Sequence, residues 1–134
     1  MTRIIVLALL MALLAPLAAS AHYEGELLPD SVAVMEYQMV ISMAPKDTLT
    51  RNKLGMVYLR QNKTAKARKE FNEILKIDAK DFDALDSLGL VCDKEGKNAE
   101  AVQWYEKALK VKPADAGVKK RLDAAKAKAK DRKK

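Results

Sequence analysis

The fold is decided by residues 82–115, which read FDALDSLGLVCDKEGKNAEAVQWYEKALKVKPAD. Apolar residues recur in this stretch every three or four positions, which is typical of two amphipathic helices. The first stripe is Leu85, Leu88 and Cys92, and the second is Ala101, Tyr105 and Ala108. Gly96 lies between the stripes, where a residue that tolerates the left-handed conformation can end a helix. Pro113 ends the second helix, because it has no N–H to donate and excludes its predecessor from the helical region.

The preceding segment, residues 48–81, carries the same pattern. Its Leu54-Gly55 pair lies 34 residues before Leu88-Gly89, and other apolar positions match at the same interval. A fixed period of this length is typical of proteins that are built from stacked helical repeats. A glycine inside a helix costs about 1 kcal/mol relative to alanine. We therefore interpret Gly89 as a position where two helices approach closely.

These residues resemble the tetratricopeptide-repeat family, whose 34-residue pattern runs W-x2-L-G-x2-Y, then A-x3-F, then P. Both segments keep the Leu-Gly pair and the later alanine with its aromatic partner. The second repeat departs from the pattern at Leu85 and Cys92, and the first departs from it at Arg51, Asn62 and Ala79. Asn62 tolerates the left-handed conformation of a turn, whereas Arg51 predicts a frayed or shifted start to its helix.

The resemblance implies an all-α fold, an α-solenoid of helix-turn-helix repeats wound into a right-handed superhelix. About two and a half repeats and a capping helix are expected. The predicted divisions are a signal peptide at 1–21, a lead segment with one unpaired repeat helix at 22–47, repeats at 48–81 and 82–115, and a capping helix with a basic tail at 116–134.

The unpaired helix, Ser31–Met43, matches the second helix of a repeat whose first helix is missing. Ala33, Tyr37 and Val40 lie 34 residues before the inward positions of the first repeat, so we expect them to face inward. The rest of the helix is unusually apolar, and such a helix is expected to be buried on more than one side. Two interpretations stay open: self-association or docking through this helix, and cover by Leu27-Leu28 of the lead segment.

Residues 1–21 have the features of a secretory signal peptide. A short positive head is followed by the apolar run Ile4–Ala15, and Ala19-Ser20-Ala21 fits the A-x-A cleavage signature. This predicts cleavage after Ala21 and a secreted or periplasmic protein. An uncleaved membrane anchor is the other interpretation, although the run is shorter than the roughly 20 residues of a membrane span.

The charge of the chain is concentrated near its end. The net charge is +7, and Lys119–Lys134 alone carries +7, so the repeats are close to neutral. The chain has one His and one Cys, no phosphate-binding loop and no metal-ligand spacing, and it is therefore predicted to be no enzyme and to bind no cofactor or metal. Few aromatic residues and the predicted export argue against nucleic-acid binding.

The resemblance also implies a partner-binding groove on the first helix of each repeat. The implied groove residues are Leu49, Asn52, Lys53, Met56, Arg60, Asp83, Asp86, Leu90, Asp93 and Lys120. Met56 and Leu90 are the expected apolar anchors. The acidic residues of the second repeat favour a peptide or helix of mixed or basic character. The alternative for Asp86 is an ion pair with Lys120 or Arg121, which is worth little at a surface.

The sequence therefore predicts an exported protein–protein interaction module, a scaffold or adaptor that binds a peptide or helix of an envelope partner. The alternative function is a membrane-associated assembly factor. It would be held by an uncleaved N-terminus or by the basic tail on an anionic lipid surface. An N-terminus at His22 would exclude the anchor.

Overall fold

The computed structural model describes residues 29–131, and this part of the chain contains six α-helices and no β-strand. They are α1 (Asp30–Met43), α2 (Thr48–Arg60), α3 (Thr64–Ile77), α4 (Phe82–Lys94), α5 (Asn98–Val111) and α6 (Ala116–Asp131). Each helix packs on the next, and α2 also contacts α4. The all-α solenoid is confirmed, with hairpins α2–α3 and α4–α5 between a single helix and a cap. The predicted signal peptide and Leu27-Leu28 lie outside the described residues.

The two hairpin turns use the residues that were expected to take the left-handed conformation. Asn62 has φ 58° and Gly96 has φ 71°. The backbone N–H that follows each of them reaches back to the preceding helix, Lys63 N to the Tyr58 carbonyl at 2.8 Å and Lys97 N to the Cys92 carbonyl at 2.9 Å. These bonds satisfy carbonyl groups that a helix end would otherwise leave without a partner.

Three aspartates with the same 34-residue spacing begin α2, α4 and α6. Asp47 accepts a hydrogen bond from the Thr50 N–H at 3.1 Å, and Asp81 accepts one from the Ala84 N–H at 2.8 Å. Asp115 accepts one from Val118 N–H at 2.8 Å. A side chain that caps the first turn stabilises a helix by about 1 kcal/mol. The periodicity of the chain therefore extends to its helix caps, which were not among the predicted repeat positions.

Close helix packing explains the glycine at the centre of α2 and of α4. A Cβ added to Gly55 would lie 2.5 Å from Cε1 of Phe71, and one added to Gly89 would overlap the ring of Tyr105. Both rings are fully buried. Each aromatic ring of a second helix thus packs directly on the backbone of the first helix in its own hairpin.

The buried side chains form two clusters, one for each hairpin and its successor. The first is built from α2, α3 and α4 around Leu54, Phe71 and Leu88. The second is built from α4, α5 and α6 around Tyr105 and residues that include Leu85, Cys92, Ala101, Ala108 and Val118. Both apolar stripes that were predicted within residues 82–115 are buried.

The frayed start that Arg51 predicted for α2 is wrong. The helix begins at Thr48, and the Arg51 guanidinium donates two hydrogen bonds to the Pro45 carbonyl, at 3.1 and 3.0 Å. It also forms an ion pair with Glu70 of α3 at 3.0 Å, where both side chains are mostly buried. Arg51 therefore anchors the start of the helix, because one planar group joins the preceding loop to the neighbouring helix.

The expected orientation of α1 is correct in part. Ala33 is buried, and Tyr37 packs on the first cluster together with Val34 and Ile41. Val40, which was expected to face inward, is 36% exposed. The reason is that, among the described helices, α2 is the main neighbour of α1, so no described helix packs against the other side of α1 to the same extent.

Candidate partner-binding face

The first helices of the solenoid, α2, α4 and α6, are joined directly. Ser87 Oγ of α4 lies 3.9 Å from Met56 Sδ of α2. Arg121 of α6 donates to both carboxylate oxygens of Asp86 on α4, at 3.0 and 2.6 Å. We call the continuous surface along α2, α4 and α6 the first-helix face. The ten predicted groove residues all lie on these three helices.

The α2 end of the first-helix face contains an open depression of about 320 Å³. It is lined by Tyr37 of α1 and by Leu49, Asn52, Lys53, Met56, Val57 and Arg60 of α2. The structure thus brings all five predicted residues of the first repeat together. They meet because a helix places residues three, four and seven apart on one side. Leu49 is 66% exposed and Met56 is 37% exposed, so apolar surface faces solvent here.

Tyr37 and Val57 line the same depression, although neither was predicted as a site residue. Tyr37 lies on the unpaired helix α1, whereas the groove was predicted only on the first helices of the repeats and on the cap. Its neighbour Gln38 donates a hydrogen bond to the Tyr58 hydroxyl at 3.0 Å, which ties α1 to α2 beside the depression. Arg60 closes the end of the depression and forms an ion pair with Asp30 of α1 at 2.6 Å.

The α4 and α6 part of the face is largely occupied by internal contacts. The ion pair of Asp86 with Arg121 confirms the alternative that was considered for Asp86. Burial raises the pKa of the Asp86 carboxyl, and the guanidinium of Arg121 opposes that rise. Leu90, an expected anchor, is half-buried and packs on the first cluster. Asp86 and Leu90 therefore hold the repeats together as well as facing the predicted groove.

Asp93 also makes internal contacts. One of its oxygens accepts a hydrogen bond from the Tyr105 hydroxyl at 2.7 Å, and the other lies 3.9 Å from Nζ of Lys128. Burial and this carboxylate raise the pKa of Tyr105. Of the four predicted charged residues on α4 and α6, Asp83 and Lys120 remain exposed. The exposed charge of this part is consequently mixed and smaller than the sequence suggests.

A partly buried cluster around Arg68 joins the two hairpins away from this face. The Arg68 guanidinium contacts Glu95 at 2.6 Å, Glu100 at 2.8 Å and the Cys92 sulfur at 3.4 Å. Burial opposes the positive charge, but the two carboxylates outweigh it and raise the pKa of Arg68. We assign this arrangement a structural role, because Arg68 of α3 joins the first hairpin to Glu95 and Glu100 of the second.

Residues 29–131 contain neither a metal cluster nor a membrane-spanning helix. No group of three or more His, Cys, Asp or Glu side chains in this range could hold a metal ion. Within the same range, no helix is long and apolar enough to cross a membrane.

Comparison with known proteins assigns the family. The family model described as tetratricopeptide repeat matches residues 50–81 and 82–115. These are the two hairpins that carry the Leu-Gly pairs. The chain belongs to the tetratricopeptide-repeat family. No functionally curated protein matches its sequence.

Solved structures of tetratricopeptide-repeat domains have the same fold. The first such domain of the human RPAP3 protein superposes with a TM-score of 0.74 at 18% identity, over 78% of this chain and 82% of that one. The second domain of human RPAP3, in complex with the HSP70 peptide SGPTIEEVD, gives 0.65 at 24% identity over 69% and 78%. The first repeat domain of Spaghetti (RPAP3), bound to the HSP90 peptide SRMEEVD, gives 0.67 at 19% identity over 70% and 75%.

Proposed function

We propose that this tetratricopeptide-repeat protein is an exported interaction module that binds a peptide or helix of an envelope protein on its first-helix face. The observation that carries the proposal is the depression at the α2 end, where Leu49 and Met56 expose apolar side chains beside Tyr37. Exposed apolar groups that gather in a concave site are the usual anchors of a bound segment.

The relatives support the binding of a peptide. Two of the structurally similar domains hold short peptides of other proteins, and repeat proteins use their extended concave surfaces in this way. Those peptides end in acidic residues. In this chain the predicted face instead offers Lys53 and Lys120 together with Asp83, all of them exposed.

We propose a segment of mixed charge with one apolar anchor. The anchor would lie in the depression between Leu49 and Met56, and an acidic residue beside it would meet Lys53. A basic residue further along would meet Asp83. The first-helix face of two repeats has a smaller area than a standard interface, which covers roughly 800 Å² on each partner. We therefore expect dissociation constants in the micromolar range.

The test is a binding experiment on a double variant, Leu49→Glu with Met56→Glu. A partner is first captured from envelope extract and identified, and the dissociation constant of its synthetic segment is measured by calorimetry. Both substituted side chains are exposed, so the helical circular-dichroism signal should be retained. The affinity should fall at least about tenfold, because buried carboxylates replace the apolar anchors.

The matched control is Ile77→Glu on α3, which also replaces an exposed apolar residue, 43% exposed, but lies outside the first-helix face. Its affinity should equal that of the unmodified protein. Undiminished binding by the Leu49→Glu, Met56→Glu variant would contradict the proposal.

Export and membrane association are tested separately. Mass spectrometry of the protein purified from its own host should give an N-terminus at His22. An intact N-terminus would favour the second candidate, a membrane-associated assembly factor. The exposed lysines of α6, including Lys119, Lys126 and Lys130, support that candidate, because each basic residue near an anionic surface contributes about 1 kcal/mol.

A further inference from the structure

The helix α1 is the second helix of a repeat whose first helix is not among the described residues. Val40 lies 34 residues before Ile74 and 68 residues before Ala108. Ile74 and Ala108 are fully buried between helices, whereas Val40 is 36% exposed. Within residues 29–131, the side of α1 that a hairpin partner would cover is therefore exposed.

A second feature of α1 cannot be explained by the repeat alone. Val32, Met35, Met39 and Met43 follow one another at intervals of three, four and four residues, which places them in one line along the helix. We call this line the α1 stripe. Its members are 47, 71, 66 and 82% exposed in chain order. They are among the most exposed large apolar side chains in residues 29–131.

The same positions in the other two second helices are mostly polar. In α3 they hold Lys66, Lys69, Glu73 and Ile77, and in α5 they hold Glu100, Gln103, Lys107 and Val111. A second helix of this fold therefore needs no apolar side chain at the first three positions. The stripe is specific to α1, and an exposed apolar line of this kind marks an interaction surface.

A lipid surface does not fit the charge of α1. Helices that lie on membranes carry Lys and Arg on their polar face. The charged residues of α1 are Asp30 and Glu36, both acidic, and Asp30 is already paired with Arg60. An anionic membrane would repel this helix.

Head-to-tail stacking of copies does not fit the other end of the solenoid. The cap α6 is a first helix, so an incoming α1 would complete a hairpin on it. The residue of α6 that corresponds to Gly55 and Gly89 is Asp123. The ring of Tyr37 from the incoming α1 would meet the Asp123 carboxylate, which exposed Lys119 and Lys126 flank. This charged surface is a poor match for an apolar stripe.

We propose that the α1 stripe pairs with the α1 stripe of a second copy, which gives a closed two-fold dimer. An antiparallel arrangement places the two-fold axis between Met35 and Met39, with Val32 of one copy opposite Met43 of the other. The contact is isologous, because both copies use the same surface, and it therefore ends at two copies. Flexible methionine side chains suit it, since they adapt to one another at a contact.

The expected dimer is weak. A helix of 14 residues is about 21 Å long, and a pair of such helices covers less than the roughly 800 Å² per partner of a standard interface. Dissociation in the micromolar range follows. The inference is independent of the proposed function, because the stripe and the first-helix face use different residues.

The test is sedimentation velocity on protein that is produced from the full-length gene, with its N-terminus determined by mass spectrometry. From micromolar to near-millimolar concentration, the protein should change from monomer to dimer and stop there. The variant Met35→Lys, Met39→Glu takes the residues that α3 carries at the same positions, Lys69 and Glu73, so it suits a folded second helix. Its dimer should dissociate at least about tenfold more readily.

The control is Ile77→Lys, which should dimerise like the unmodified protein. The stripe variant should keep its affinity for the captured segment, and the Leu49→Glu, Met56→Glu variant should still dimerise, so failure of either proposal is seen separately. Four results would overturn the dimer: a monomer at every concentration, growth beyond two copies, a dimer that the stripe variant retains, or stripe-dependent binding to phosphatidylglycerol vesicles.

Discussion

The two hairpins of this protein have the same backbone arrangement but hold it together with different chemistry. In the first, Arg51 and Glu70 form a largely buried ion pair between α2 and α3. In the second, the same positions are Leu85, a member of the second cluster, and Trp104, which packs on both clusters. Asn62 forms the turn of the first hairpin and Gly96 that of the second.

The comparison distinguishes two kinds of position. At some, the close approach of two helices allows only one residue type, and at others, different pairs of side chains can join the helices equally well. Gly55 and Gly89 are identical because an aromatic ring touches each backbone. The ion pair and the apolar pair are alternative solutions to the same packing problem, since either can join two helices if its groups are fully satisfied. Four changes test this distinction.

The largest effect is expected for Gly89→Ala. Alanine is normally better than glycine inside a helix by about 1 kcal/mol, but here the added methyl group overlaps Tyr105, whose hydroxyl is held by Asp93. We expect a loss of about 2 kcal/mol in the free energy of unfolding, measured with urea. Gly55→Ala should cost less, because Phe71 has no hydroxyl to fix its ring.

Gly117→Ala in α6 is the control for this change and should alter stability by less than about 0.5 kcal/mol. A stabilising effect of Gly89→Ala would show that the ring does not pack on the backbone of α4.

The second effect concerns Arg68, whose counterpart in the second repeat is Val102. Arg68→Met leaves Glu95 and Glu100 without their shared partner. We expect a loss of about 1.5 kcal/mol at neutral pH, below the figure for a fully buried pair because Glu100 is 38% exposed.

This loss should depend on pH in a defined direction. Arg68 lowers the pKa of Glu100 below 4.5, its ordinary value. The stabilisation is therefore complete above pH 4.5 and disappears as the pH falls through the lowered pKa. Urea titrations of both proteins should converge in acid, and a difference that is independent of pH would exclude this electrostatic contribution.

The third effect comes from replacing the ion pair of the first hairpin with the apolar pair of the second. Arg51→Leu alone leaves Glu70 unpaired and should cost about 1 kcal/mol, since the leucine offsets part of the loss by burying apolar surface. Arg51→Leu with Glu70→Trp copies the second repeat and should return stability to within about 1 kcal/mol of the original. A double variant less stable than the single one would show that the two hairpins are not interchangeable.

The smallest effect is expected at the turns. Asn62→Gly relieves a non-glycine residue of φ 58° but makes the unfolded chain more flexible, so a gain of about 0.5 kcal/mol is expected. The reverse change, Gly96→Asn, should lose a similar amount. Thermal unfolding measures the change in stability of each variant. If the two changes had the same sign, the turns would not be equivalent.

The sequence predicted those features that depend on steric limits on single residues and that recur in every repeat. The hairpins, the left-handed Asn62 and Gly96, and the close approach at Gly89 follow from residue types whose conformation or size has few alternatives. The family resemblance then indicated which residues share the first-helix face, and five of them line one depression.

The features that were not predicted depend on which group of another element contacts a given side chain. Arg51 departs from the repeat pattern, and only the positions of the Pro45 carbonyl and Glu70 show that it anchors its helix. Asp93 appears as a free groove carboxylate in the sequence, but Tyr105 faces it across the hairpin. Val40 has the right periodicity for burial, but residues 29–131 include no helix that buries it.

The single thiol of the chain provides a means of following its motion. The Cys92 side chain is fully buried beside Arg68, and burial raises the pKa of its thiol. Thiol reagents attack the thiolate, so labelling of the native protein requires α4 to separate from its neighbours. The labelling rate of the unmodified chain therefore reports how often the second hairpin opens, without any introduced probe.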